Sequence, residues 1–313
     1  MILIVLFFPS VSKADFDPSN PSTSGYQIVF DEEFNSVSTI DVKDTRKPGH
    51  KWYTSHFFGA PTTPSSAYSA TVEFLTLTQH NSYNGSLGTA GPAKNKQGFV
   101  GQAWGGGAYF EASFKFDPAQ VNTAKGWPAF WSMAIEHLAQ KGLDQWPGQP
   151  KGYVHFIEDD FFEYDTASSL SPYTYGAALH DWYGIYKKTC PEGFCGITNP
   201  NFKVSPPKGT DFTQIHSYSQ LWVPSVNGQK GFINNYFDGQ LLNQVTWVTS
   251  GDGTPPPSGT FTYSILDKQH LAIMLGTGDQ QAMRINRVRV WQIPGQGTCV
   301  GDCVKPATTS TSK

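Results

Sequence analysis

The chain has 313 residues, among them 22 Phe, 14 Tyr and 9 Trp, against a charged fraction of only 15%. So many aromatic side chains supply material for a packed core, which excludes an intrinsically disordered chain. Lys plus Arg number 22 and Asp plus Glu 25, a net charge of −3 with no basic stripe, which excludes a phosphate-neutralising nucleic-acid binder.

In chain order, Met1 to Phe8 (MILIVLFF) is a short apolar run. Ser12-Lys13-Ala14 follows and resembles a small-x-small cleavage site. Residues 1–14 are therefore read as a signal peptide, Asp15 as the mature start and the protein as secreted. Eight apolar residues fall short of the about 20 needed to cross a bilayer. No later segment is longer, so no membrane partner is expected. With 31 Gly and 22 Pro, the remaining apolar residues fall in short or alternating runs bounded by turn residues, which is a β pattern. Predicted strands are Tyr26 to Phe30, Val72 to Thr78, Ala108 to Phe116, Trp127 to Met133, Val154 to Tyr164, Tyr218 to Val223, Gly231 to Phe237, Leu271 to Leu275 and Ile285 to Trp291. Many short strands with long connections point to a sandwich of antiparallel sheets.

Two long stretches, Glu136 to Gly152 and Lys187 to Gly209, are predicted as loops of functional rather than connecting type. Cys190 and Cys195 form C-x4-C, and Cys299 and Cys303 form C-x3-C. In an exported chain an even count reads as two disulfides. Local pairing is the simplest of three connectivities, and a four-thiolate zinc site competes with it although neither pair has C-x2-C spacing. Lys305 to Lys313 (KPATTSTSK) reads as a linker or tail, which leaves 15–304 as one domain. No heptad or internal repeat is present, and a monomer is expected.

The most informative segment is Val154-His155-Phe156-Ile157-Glu158-Asp159-Asp160-Phe161-Phe162-Glu163-Tyr164, which places acids inside an aromatic strand where unpaired charge is costly. Side chains alternate, so Glu158 and Asp160 share a face while Glu163, five residues on, falls on the other. A β-bulge at Phe161-Phe162 would return Glu163 to that face, and bulges concentrate next to active sites. The two Glu Cα atoms would then be four steps of about 3.3 Å apart. Side chains leaning together on a concave sheet would bring their carboxylates to roughly 5 Å, the spacing of a retaining glycosidase pair.

Glu158-x-Asp160-x-x-Glu163 resembles the bulged E-x-D-x-x-E signature of glycoside hydrolase family 16. Asp31-Glu32-Glu33-Phe34-Asn35 resembles the family's D-E-F-N segment, and Tyr109-Phe110-Glu111-Ala112 its G-x-F-E-A-R strand. Gly126-Trp127-Pro128-Ala129-Phe130-Trp131 is similar to W-P-A-x-W, and Leu179-His180 to T-L-H. Phe212 to Trp222, Phe237-Asp238-Gly239 and Val288 to Gln292 complete the series, so the resemblance spans about residues 26 to 292. It implies an all-β jelly-roll sandwich with a concave carbohydrate-binding cleft and hydrolysis by double displacement. Glu158 would be the nucleophile, Glu163 the acid/base and Asp160 the neighbour that orients the nucleophile. Asp159 departs from the pattern: the family's apolar residue there points between the sheets, so a charge at Asp159 would need a partner.

Trp127 and Trp131 alternate onto one face and are expected to stack on sugar rings. His180 and Trp182 are expected beside the acid/base, Trp104 at the cleft rim on a mobile Gly-rich loop, and Glu111 as a substrate contact. His216 reads as structural. Family members often hold a structural calcium with an Asp where this chain has Asn286, a weaker ligand. The chemistry itself would need no metal or organic cofactor. The expected partner is a polysaccharide and the expected activity endo-cleavage of β-1,3- or mixed-linked glucan. Transglycosylation on the same scaffold, galactan hydrolysis and glycan binding without cleavage are the alternatives.

Overall fold

The structure is a computed structural model that describes residues 16–55, 62–78, 85–94, 98–137, 153–165, 172–185, 194–249, 261 and 263–303. The leader 1–14, the tail 305–313, most of Glu136 to Gly152 and the Cys190–Cys195 pairing lie outside what is described.

Two sheets stack into a sandwich. The smaller has eight strands, in the order Gln240–Trp247, Gly231–Phe237, His216–Val223, Ala108–Phe116, Met283–Gln292, Leu75–Leu77 and Tyr68–Ala70, with Gln27–Glu32 also paired to Met283–Gln292. The larger has eleven, and its main path runs Phe194–Val204, Tyr175–Ile185, Tyr153–Glu163, Ala129–Ala134, Leu271–Thr277, Gly85–Gly88, Trp52–Tyr53 and Ile40–Asp41. Pairing is antiparallel throughout except between Ile40–Asp41 and Trp52–Tyr53. Among the described residues the one α-helix is the single turn Tyr263–Leu266. Ala108–Phe116 shows why these segments are strands: Phe110, Ala112, Phe114 and Phe116 alternate into the core while Glu111, Ser113 and Lys115 face out.

Aromatic rings join the layers. Phe161 of the larger sheet stacks on Phe110 of the smaller at 5.0 Å, and Phe162 packs edge-on against Phe114 at 5.0 Å and Tyr218 at 4.6 Å. Both phenylalanines therefore point inward although they are neighbours in sequence. That is the predicted bulge: opposite Ala129–Ala134 the register jumps from Phe130↔Phe162 to Trp131↔Asp160. Opposite Tyr175–Ile185 it jumps from Asp160↔Ala178 to Glu163↔Gly176, two residues against one.

Two expectations are corrected here. Lys187 to Gly209 is not a loop throughout, because Phe194–Val204 is a strand at the edge of the larger sheet. Its Asn and Pro residues disguise it. Pro200 falls where the register shifts between Ala178↔Asn201 and His180↔Thr198, a bulge on an edge strand where proline is tolerated. Nor is Trp104 at a rim: it lies within the strand Phe99–Gly105, fully buried, against Phe30 at 5.2 Å and opposite Cys299. Cys299 is joined to Cys303, which fastens that strand's neighbour Thr298–Gly301. The glycines around Trp104 mark close backbone packing: at Gly101, with φ +89°, a Cβ would lie 2.1 Å from the Thr89 carbonyl oxygen.

Trp104→Ala is expected to destabilise the fold by about 3–5 kcal/mol through the cavity it leaves. Denaturant unfolding of the purified variant checks this; a change within about 0.5 kcal/mol would return Trp104 to the surface.

Candidate active site

The strand Tyr153–Glu163 has two faces with different tasks. His155, Asp159 and Phe161 point between the sheets, whereas Glu158, Asp160 and, after the bulge, Glu163 point outward. Register places Glu158 between Met133 and His180, Asp160 between Trp131 and Ala178, and Glu163 between Ala129 and Gly176. Small residues thus surround the last acid on both sides.

Each outer carboxylate has its own partner. Trp182 Nε1–H donates to Glu158 Oε2 at 2.7 Å, and Trp127 Nε1–H donates to Glu163 Oε1 at 3.0 Å. His180 Nε2 lies 2.9 Å from Asp160 Oδ2. The His180 ring stacks on that of Trp182, centroids 5.9 Å apart, so the donor to Glu158 and the partner of Asp160 brace each other. Gly196, opposite Trp182 in register, makes room for this indole: a Cβ there would meet the Trp182 ring at 2.5 Å.

Beneath the acids the strand is held where its neighbour Ala129–Ala134 ends. Gln269 supplies the missing backbone partners, donating to His155 O at 2.8 Å and accepting from Ile157 N at 3.0 Å. On the same inner face His155 Nε2 meets Asp181 Oδ1 at 2.5 Å, both fully buried.

Electrostatics follow from this crowding. Burial pushes Glu158 up to about 7, the Trp182 hydrogen bond pulling against it and the Glu163 charge adding to it. Burial likewise raises Glu163, opposed by the Trp127 hydrogen bond. Asp160 is raised well above the ordinary carboxyl range, first by burial and then by repulsion from Glu163, Glu158 and Asp159. Burial lowers His180, which keeps its imidazole neutral. The three outer acids titrate as a set, and its apparent pKa values belong to the set. Single atoms of Asp160, Glu163 and His180 lie within 4.8 Å of one another, a spacing a cation could use. Two of these atoms already bond each other in the Asp160–His180 contact, so we read the group as a proton-sharing cluster.

Of the residues singled out in the sequence, Glu158, Asp160, Glu163, Trp127, Trp131, His180 and Trp182 come together. Glu111 does not. It projects from the outer face of the opposite sheet, where Ser217 Oγ donates to it at 3.2 Å and Arg289 lies at 4.0 Å, so both layers separate it from the acids. Burial raises its carboxyl and Arg289 opposes that. His180 partners Asp160 while lying within 4.8 Å of Glu163 as well, and Trp182 partners Glu158. His216 is structural, its ring held between Asp238 at 2.7 Å and the Asp211 carbonyl at 3.1 Å. Asn286 donates through Nδ2 to the Glu73 carbonyl at 2.9 Å. Sequence reasoning missed Gly196 and Gln269, which act through register and backbone and carry no motif.

No family model matches the chain, and no curated protein matches it. Solved structures do. An endo-1,3-β-glucanase from Streptomyces sioyaensis is 17% identical, with a TM-score of 0.46 over 89% of this chain and 98% of that one. A Bacteroides ovatus mixed-linkage glucan GH16 protein in complex with a product is also 17% identical, with a TM-score of 0.45 over 84% of this chain and 100% of that one. A legume lectin-like domain from Entamoeba histolytica is 9% identical, with a TM-score of 0.36 over 72% and 86%.

Removing the Trp182 N–H should raise the Glu158 pKa, because the bond it makes favours the charged form. Carboxyl-labelled glutamate NMR of Trp182→Phe is expected to show a rise of about one unit, the size of a hydrogen bond to a charged group. Gly196→Ala should shift the same titration in the same direction by displacing the indole. An unshifted titration in both would mean that Trp182 does not hold Glu158.

Proposed function

We propose that the chain is a secreted retaining endo-glycoside hydrolase that cleaves β-1,3- or mixed-linked β-glucan. The observation that carries this reading is the bulge at Phe161, which sets Glu158 and Glu163 on one face, each with one oxygen held by an indole N–H.

Trp182 occupies Glu158 Oε2, so Oε1 is the attacking oxygen. It forms a bond to the anomeric carbon while the bond from that carbon to the leaving oxygen breaks and Glu163 gives that oxygen its proton. In the second step water attacks the same carbon, Glu163 takes the proton from the water and Glu158 leaves as the carboxylate. Desolvation bears on both roles: it raises the Glu163 carboxyl in the direction a general acid needs, and it makes an ionised Glu158 a poorly solvated nucleophile whose charged form the Trp182 hydrogen bond favours. Asp160, the most strongly raised of the three, stays neutral between the two glutamates and spares them a third charge.

Trp131 stands directly opposite Asp160, half-buried, and Trp127 is anchored through its ring nitrogen on Glu163, so both indoles suit stacking on sugar, whereas the Trp182 ring is already stacked by His180. Among the described residues no lysine or arginine forms an ion pair with Glu158, Asp160 or Glu163, and burial lowers the pKa of His180, which favours an uncharged glucan over a sulfated galactan. The Cys299–Cys303 disulfide suits an oxidising compartment. A pure glycan binder would have no use for three acids buried at such cost.

On a panel of laminarin, mixed-linked glucan, agarose and carrageenan, the parent is expected to release oligosaccharides from a glucan. Glu158→Ala should abolish release, and Glu163→Gln should slow it about 10²–10⁴-fold. Binding without cleavage by the parent would replace the enzyme with a lectin. Cleavage of agarose or carrageenan alone would replace the substrate.

A further inference from the structure

The inner face of the carboxylate strand holds an acid that the proposed chemistry does not use. Asp159 is 1% exposed, between Ser132 and Leu179 in register, and points at the opposite sheet. There Gln220 Nε2 donates to Asp159 Oδ1 at 3.0 Å and to Asn235 Oδ1 at 3.1 Å. Both amide hydrogens are thereby used on oxygens, which fixes the amide's orientation and leaves Gln220 Oε1 able only to accept. Asp159 Oδ2 and Gln220 Oε1 are both buried and have no hydrogen-bond partner among the described residues. Two buried acceptors, one on each partner of the Gln220–Asp159 hydrogen bond, that lack a hydrogen each carry the full desolvation penalty. One proton on Asp159 Oδ2, donated to Gln220 Oε1, satisfies both and closes a ring of two hydrogen bonds.

We propose that Asp159 is a positioning residue that carries a proton and forms this two-bond ring with Gln220, locking the strand of Glu158 and Asp160 to the opposite sheet.

The surroundings agree. The titratable groups around Asp159 are Glu158 and Asp160 beside it on the strand, the His155–Asp181 pair on the same inner face, and the Tyr218 phenol two residues from Gln220. His155 is already engaged by Asp181, and no cation acts on Asp159. Burial pushes its carboxyl up to about 8, the Gln220 hydrogen bond opposing. When Asp159 ionises it also adds charge beside Asp160, whose proton it helps to hold. The native chain therefore keeps a proton that the unfolded chain has lost between about pH 4 and about pH 8. Asp159 accordingly does not penalise folding below that window, and it lowers stability progressively as pH rises through it.

Asp159→Asn supplies the second N–H of the ring without titrating, and Asp159→Leu supplies neither bond. The melting temperature of Asp159→Asn should gain on the parent from pH 5 to about pH 8 and level off above it. The infrared difference spectrum at pH 7 should show loss of a protonated carboxylic acid band. These two readouts require no enzymatic activity, so they stand or fall apart from the hydrolase reading. A melting difference constant with pH, no acid band lost, or an Asp159→Asn chain that fails to fold would each overturn the proposal. The kinetic arm rests on the hydrolase reading. Asp159→Leu should lose kcat several-fold at unchanged KM, and Asp159→Asn should recover most of that loss; equal kcat in both would refute positioning.

Discussion

An extra residue in one strand decides which acids meet. In a regular strand Glu158 and Glu163 would lie on opposite faces, one in the core and one in solvent. The chain solves this with consecutive phenylalanines that both turn inward, Phe161 onto Phe110 and Phe162 onto Phe114 and Tyr218. Core packing thus enforces the bulge. The same rings that join the sheets set the spacing of the acids on the other side, so stability and site geometry share one cause.

The second constraint is electrostatic. Four carboxyls lie within six residues, and burial raises every one of them. Each is given a different remedy. Indole N–H groups hold Glu158 and Glu163 without adding charge, neutral His180 attends Asp160, and an amide from the opposite sheet attends Asp159. Neutral donors let the acids keep protons at near-neutral pH, where a neighbouring lysine or arginine would strip them. Proton storage is what acid/base chemistry at a glycosidic bond requires.

Much of this was legible in the sequence. Strands such as Ala108–Phe116 and Gly231–Phe237 fall where alternation and turn residues put them, and the bulge followed from two facts, three acids at 158, 160 and 163 and the period of two. What was not legible depends on register between distant segments. Trp182 meets Glu158 because of how Tyr175–Ile185 slides against its neighbour, and Gln220 meets Asp159 across the core from a strand about sixty residues away. Trp104 and Glu111 misled because local composition does not say which sheet or which face a residue occupies: glycines around Trp104 mark close packing instead of mobility, and Glu111 faces away on the other layer. The strand Phe194–Val204 was hidden by Pro200, whose bulge on an edge is invisible without the partner strand.

The most direct measurement is the anomeric configuration of the first product, followed by proton NMR during the opening minutes of glucan cleavage, before mutarotation. Under the proposed double displacement, with one glutamate attacking and one carrying the proton, the new reducing end appears first as the β-anomer, the configuration of the bond cleaved. Initial release of the α-anomer would contradict the account, since it would place a water between the carboxylates and remove Glu158 as the nucleophile.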